Sequence, residues 1–201
     1  MTLAFTHDHR IPFVDGWNNS TVMVRAFIAL ELSDEIRARL SDTQEVLKRC
    51  TARMTWVERE NIHITVKFLG EVDDKKIPEL KSALTSVPFR SFTITTGIIT
   101  INNPHRPFTV WCTIEDGGRG AQFLDLVENS LSSLGFAREK RKFSPHATVA
   151  RVRRFDPSLF EVMKLLDSKS YGNCAIKGMK LKKSTLTPQG PVYEDLLEVV
   201  W

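Results

Sequence analysis

Patterns for metal binding and for disulfides are missing from this chain of 201 residues. Its three cysteines, Cys50, Cys112 and Cys174, are far apart and show no CxxC or Cys/His spacing. That argues against a disulfide framework and a zinc site, and places the protein in a reducing cytoplasm. No apolar run approaches the roughly 20 residues that span a bilayer, so no membrane is expected among its partners. A signal-peptide core is also lacking, because His7, Asp8, His9 and Arg10 interrupt the N-terminal apolar residues. The His-Asp-His triplet is a poor ligand set in a terminal segment. The stretch P-F-V-D-G-W-N-N-S is turn-rich and unpatterned. Residues 1–22 are therefore expected to be a disordered extension, and residues 23–201 the folded domain, starting with the strand-like M-V-R-A-F-I-A-L.

What is present is an ordinary globular composition, 42% hydrophobic and 26% charged, with a net charge of +4. The basic excess is local. Arg138, Lys140, Arg141 and Lys142 precede a histidine at position 146, and Arg151, Arg153 and Arg154 follow it. Such clusters fit a solvated face or a polyanion-binding surface.

The order of elements repeats. Ser33 caps an amphipathic helix with Ile36, Leu40 and Leu47 on one face, and the strands M-T-W-V and N-I-H-I-T-V-K-F-L follow it. A second helix starts at Asp73 or Asp74 and ends before Pro88. The strand pair F-R-S-F-T-I-T-T-G-I-I-T and F-T-V-W-C-T-I is joined by N-N-P-H-R-P. Gly118 or Gly120 then opens a helix closed by Gly135, and a second His-containing strand follows. Asp156 and Pro157 start a fourth helix. C-A-I-K-G-M-K-L-K-K-S-T-L-T and V-Y-E-D-L-L-E-V-V read as two final strands around the turn P-Q-G-P. This order predicts an α+β fold of two pseudo-symmetric lobes. Each lobe is a mainly antiparallel sheet with helices on its outer face, and a cleft lies between them.

The two His strands begin alike, H-I-T-V at His63 and H-A-T-V at His146. Strand periodicity puts His63 with Thr65, and His146 with Thr148, on one sheet face. A single His-x-Thr means little in a chain with five histidines; two, at equivalent places in a repeated order, point to a shared site. Two imidazoles and two hydroxyls suit metal-free phosphodiester cleavage. A neutral imidazole takes a proton from water, an imidazolium gives one to the leaving oxygen, and hydroxyls hold the non-bridging oxygens. Arg151 faces away from His146 and Thr148 in an ideal strand, so it reaches a phosphate only where the strand bends or ends. Lys67 has the parity of His63 and reads as a solvated strand-end residue. Phe68, Leu69, Trp56 and Phe143 read as packing residues, and Lys177, Lys180, Lys182 and Lys183 as an edge strand or an RNA-tracking rim.

H-I-T-V-K-F-L-G-E-V and F-S-P-H-A-T-V-A-R-V, with R-A-F-I-A-L-E-L-S-D-E-I-R, W-V-E-R-E-N-I-H and T-L-T-P-Q-G-P-V-Y-E, resemble the 2H phosphoesterase superfamily. More narrowly they resemble the RNA 2′,3′-cyclic phosphodiesterases, historically called 2′-5′ RNA ligases. The resemblance covers nearly the whole chain beyond residue 22. It implies a bilobal α+β fold, no cofactor or metal, and opening of a 2′,3′-cyclic phosphate at an RNA 3′ end to a 2′-phosphate. His63 is then the proton donor, His146 the proton acceptor, and Thr65, Thr148 and Arg151 the phosphate-binding residues. RNA ends are the implied partner, tRNA fragments among them, and a monomer is expected. Two other functions fit the same residues: the reverse reaction, joining a cyclic end to a 5′-hydroxyl, and a non-catalytic RNA-end-binding module. Retention of both histidines disfavours the module, since Arg or Lys would grip phosphate as well. Unperturbed imidazoles near 6.5 predict a bell-shaped rate profile with both limbs near neutrality.

Overall fold

A computed structural model describes residues 21–166, 170–188 and 190–201. Residues 1–20, which hold nearly all of the expected N-terminal extension, lie outside the described residues, as does Gln189 of the P-Q-G-P turn. The strands are β1 (Met23–Glu31), β2 (Arg53–Trp56), β3 (His63–Asp73), β4 (Phe92–Ile101), β5 (Thr109–Glu115), β6 (His146–Arg154), β7 (Asn173–Ile176), β8 (Gly178–Thr187) and β9 (Gly190–Val200). Among the described residues four α-helices join them: α1 (Asp34–Leu47), α2 (Ile77–Thr85), α3 (Arg119–Leu131) and α4 (Ser158–Lys164).

Local chemistry sets the helix ends. The Ser33 hydroxyl accepts from Ile36 N at 3.3 Å and caps α1, with Asp34 and Glu35 in the first turn favoured by the helix dipole. Gly118 starts α3 in the left-handed region at φ 81°, where the Asp116 carboxylate accepts from the N–H groups of Gly118 and Gly120. The helices bury Ile36, Leu40, Leu80, Leu84, Phe123 and Val127 against the alternating apolar residues of the strands, in one continuous core.

The sheet is antiparallel throughout, in the order β7-β4-β5-β6-β3-β1-β8-β9, with β2 also on β6. The α+β class and the antiparallel sheets are as expected. The two halves meet at one cross-strand pair, Ile64 with Ala147; beyond it β3 leaves β6, and β2 takes up the same edge from Ala150 onward.

Two expectations change. The run from Cys174 to Thr187 is not one strand. It breaks at Lys177, and β7 pairs with β4 at one end of the sheet while β8 pairs with β1 and β9 at the other. Gly178 is required there, since a Cβ would sit 2.1 Å from the Val199 carbonyl oxygen. The helices are also exchanged between halves. α1 precedes the first His strand but packs beneath β6, whereas α3 precedes the second and packs beneath β3.

Candidate active site

His63 and His146 open their strands on either side of the Ile64–Ala147 pair. Antiparallel register about that pair sets His63 beside Thr148 and Thr65 beside His146, all four side chains on the face opposite the buried Ile64, Val66, Ala147 and Val149. The five expected site residues are thus brought together, Arg151 included.

Arg151 joins them through a β-bulge. On β6, Trp111 pairs with Thr148 and Val110 with Ala150, so Val149 is an extra residue and the parity of everything after it is reversed. Ala150 turns into the core and Arg151 onto the face of the histidines, close enough for its charge to act on both His63 and Tyr193. The carbonyl of Val149 is satisfied from behind by the Val57 N–H at 3.1 Å and by Gln44 Nε2 of α1 at 2.9 Å. The first motif has the same bulge at the same place. Ala29 pairs with Thr65 and Ile28 with Lys67, leaving Val66 extra.

That second bulge corrects two residues. Lys67 is buried, where its ammonium meets Glu128 Oε1 of α3 at 2.7 Å and donates to the Ala137 carbonyl at 2.8 Å. Phe68 is 68% exposed on the site face, its ring 6.0 Å from that of Phe27. Trp56 and Phe143 pack against the core, as expected.

Each imidazole is held alike at Nδ1, which donates to a carbonyl two residues upstream: Asn61 O at 2.7 Å for His63 and Ser144 O at 2.8 Å for His146. In the neutral form Nε2 is then the unprotonated nitrogen, and it points to the shared face. His63 Nε2 accepts from the Thr65 hydroxyl at 3.1 Å.

Their surroundings differ. His63 is stacked on Phe27 at 5.1 Å and meets the edge of Tyr193 at 5.6 Å, whereas His146 lies 4.2 Å from the ring of Trp111. Burial is the main cause that pushes His63 down to about 4; Glu31 and the Asn61 carbonyl oppose it, and Lys182 and Arg151 add to it. Behind the ring, Glu31 bonds Arg37 at 2.7 Å and lies 3.0 Å from the ammonium of Lys182. Burial likewise raises the Tyr193 phenol, against the charges of Arg151, Lys182 and Arg25.

Phe27, Glu31, Trp111, Lys182 and Tyr193 are the site-face neighbours that the spacing of residues does not single out. Phe27, Glu31 and Tyr193 do fall inside the segments R-A-F-I-A-L-E-L-S and T-L-T-P-Q-G-P-V-Y-E. Among the described residues no three His, Cys, Asp or Glu side chains gather as a metal-binding group.

An antiparallel α+β sheet carrying paired His-x-Thr strands on one face defines a phosphoesterase class of two-histidine proteins. The family model described as LigT like Phosphoesterase matches residues 30–111 and 118–193, and the chain belongs to that family. A protein of Archaeoglobus fulgidus named RNA 2′,3′-cyclic phosphodiesterase is 35% identical over 174 residues, 86% of this chain and 98% of that protein. One of the same name from Aeropyrum pernix is 36% identical over 80% of this chain and 94% of its own length. Among solved structures, TT0787 of Thermus thermophilus has a TM-score of 0.71 at 24% identity, covering 88% of this chain and 97% of that one. LigT of E. coli complexed with 3′-AMP also scores 0.71, at 22% identity, covering 89% and 98%. Both structures share the fold.

Proposed function

We propose that the protein hydrolyses RNA 2′,3′-cyclic phosphate ends to 2′-phosphates by two-histidine acid–base catalysis. The observation that carries this is the mirrored placement of the two imidazoles about the Ile64–Ala147 pair, each with Nδ1 tied to a carbonyl and Nε2 on the shared face. His146 takes a proton from the attacking water as its oxygen bonds to phosphorus. The P–O3′ bond breaks and His63 supplies the proton to O3′, leaving a 3′-hydroxyl and a 2′-phosphate. Thr65, Thr148 and Arg151 hold the non-bridging oxygens. Incubation with an oligonucleotide 2′,3′-cyclic phosphate in EDTA, followed by identification of the terminal phosphate, tests the reading. A 3′-phosphate product, or no turnover, refutes it.

Thr65→Val and Thr148→Val keep the strand shape and remove one donor each. Each is expected to lower kcat/KM by the equivalent of about 1.5–3 kcal/mol, the worth of a hydrogen bond to a charged group. A change of less than twofold returns that threonine to a purely structural role.

Burial of His63 replaces the expectation of two limbs near neutrality. A residue held at about 4 in the free protein is neutral at pH 7, and it serves as acid once a bound phosphate anion favours its protonated form. The limb of kcat/KM that belongs to His63 is therefore expected near pH 4, because kcat/KM reports the free enzyme, and that limb should move upward in kcat. His63→Ala removes it. Both limbs of kcat/KM near 6.5 would contradict the desolvation of the half-buried imidazole, and loss of activity in EDTA would indicate a metal-bound water. The same burial favours a second reading in which His63, neutral before substrate arrives, is the base and His146 the acid. Which limb each replacement flattens separates the two.

A further inference from the structure

A groove of about 990 Å³ lies beside the histidine cleft, with Arg53, Arg153, Arg154 and Phe155 on one wall and Thr187 and Gly190 on the other. Both walls prolong those of the cleft. Arg153 follows Arg151 on the site face of β6 and donates through Nε to Thr55 Oγ1 at 2.8 Å, while Thr55 is the cross-strand partner of Arg151. On the other side, Gly190 opens β9, the strand that carries Tyr193.

The positive charge of this groove exceeds the negative: three arginines line it against one carboxylate, Asp156, on which the charge of Arg154 acts. Arg37, Arg39, Lys164, Lys180, Lys182 and Lys183 each meet a carboxylate. Among the described residues Arg53, Arg153 and Arg154 form no such ion pair, and all three are exposed. The one carboxylate in the lining, Asp156, accepts from Ser158 N at 2.9 Å at the start of α4 and balances a single charge at most. Phe155, 37% exposed in the groove lining, meets Phe160 in a T-shaped contact at 5.3 Å and supplies an aromatic ring on which a base can stack. Guanidiniums with no salt-bridged carboxylate beside an aromatic ring are the elements of a sequence-tolerant single-strand site.

We propose that this groove binds the backbone of single-stranded RNA upstream of the 3′ end, so that the protein recognises strand ends in preference to mononucleotides. The inference rests on the phosphodiesterase reading of the cleft. From Thr148 to Arg153 is roughly 16 Å, five strand rises, or about two or three nucleotides of extended strand. Mononucleotide substrates fall short of the groove, and tetranucleotides reach it.

The test compares a mononucleotide 2′,3′-cyclic phosphate with di-, tri- and tetranucleotides ending in the same group. For the parent protein, KM is expected to fall with length and level off at the tri- or tetranucleotide. Arg53→Ala/Arg153→Ala should raise KM for the tetranucleotide about tenfold, with kcat and the mononucleotide KM unchanged. Its salt dependence should be shallower by about 0.7 in log–log slope for each phosphate that is no longer neutralised. Arg154→Ala should act in the same direction. Lys76→Ala removes a charge just past β3, at the opposite end of the sheet, and should change neither substrate. Indifference of the parent to length overturns the proposal, as does equal weakening of mono- and tetranucleotide by the double substitution. If no cyclic phosphate is turned over, the phosphodiesterase reading fails, and anisotropy with a labelled oligonucleotide 3′-phosphate judges the groove alone. Tenfold weaker binding by the double variant then supports it, and equal binding overturns it.

Discussion

His63→Ala and His146→Ala are each expected to turn over a 2′,3′-cyclic phosphate end on the order of 10²- to 10⁴-fold more slowly than the parent, the usual worth of a positioned acid or base. Neither ring is a core anchor in the sense that Ile64 or Ala147 is; both sit partly exposed on the open face. His63 does stack on Phe27, so its variant should be paired with His63→Asn, which keeps a polar group near the Asn61 carbonyl. Both proteins should melt close to the parent. Activity within a few-fold of the parent in a variant with normal melting would leave the two-proton mechanism without one of its members.

The second large effect concerns stability. Lys67→Ala is expected to cost about 1.5–3 kcal/mol in denaturant unfolding, because the buried carboxylate of Glu128 loses its charged hydrogen-bond donor and keeps only Arg138, 3.6 Å away, and the Glu139 N–H. Burial alone raises that carboxyl. The Lys67 hydrogen bond, the Glu139 N–H and the charges of Lys67 and Arg138 together hold it below its usual range, so Glu128 stands there as a carboxylate. Lys67→Met with Glu128→Leu removes both charges and should recover most of the loss. Had Lys67 been a solvated strand-end residue, its removal would cost well under about 1 kcal/mol. The same ammonium donates to Ala137 O, and Glu128 accepts from Glu139 N, so the pair fastens the basic loop that leads to His146. Lys67→Ala should therefore also lower kcat, a readout that separates a loop anchor from simple core filler.

The repeated His-x-Thr, the element order and the helix caps were legible in the sequence because each is a local pattern. Ser33, Gly118 and Gly135 act where their chemistry predicts. The misplaced residues share one cause. Val66 and Val149 look like ordinary alternating positions, yet each is the extra residue of a bulge, so parity counted through them puts Lys67 outside, Phe68 inside and Arg151 on the wrong face. No single-strand pattern reveals a bulge, which is set by the register of the neighbouring strand. The break at Lys177 is different, since the apolar positions change parity across it, from Cys174 and Ile176 to Met179 and Leu181, a local signal that a reading as one strand passes over. The depressed titration of His63 is long-range too, because Phe27 and Tyr193 reach its ring from strands at opposite ends of the chain.

The exchange of helices beneath the two motif strands has a thermodynamic consequence. Gln44, on a helix from the first half of the chain, holds the bulge of β6, and Glu128, on a helix from the second half, holds Lys67 of β3. Neither half can bury its motif strand alone, so unfolding of one half removes the support of the other. Calorimetry of the intact chain should show one endotherm whose van't Hoff and calorimetric enthalpies agree, with no half-folded intermediate. A chain divided in the loop between Glu115 and Arg119 should give two fragments that are unfolded singly and regain structure only when mixed.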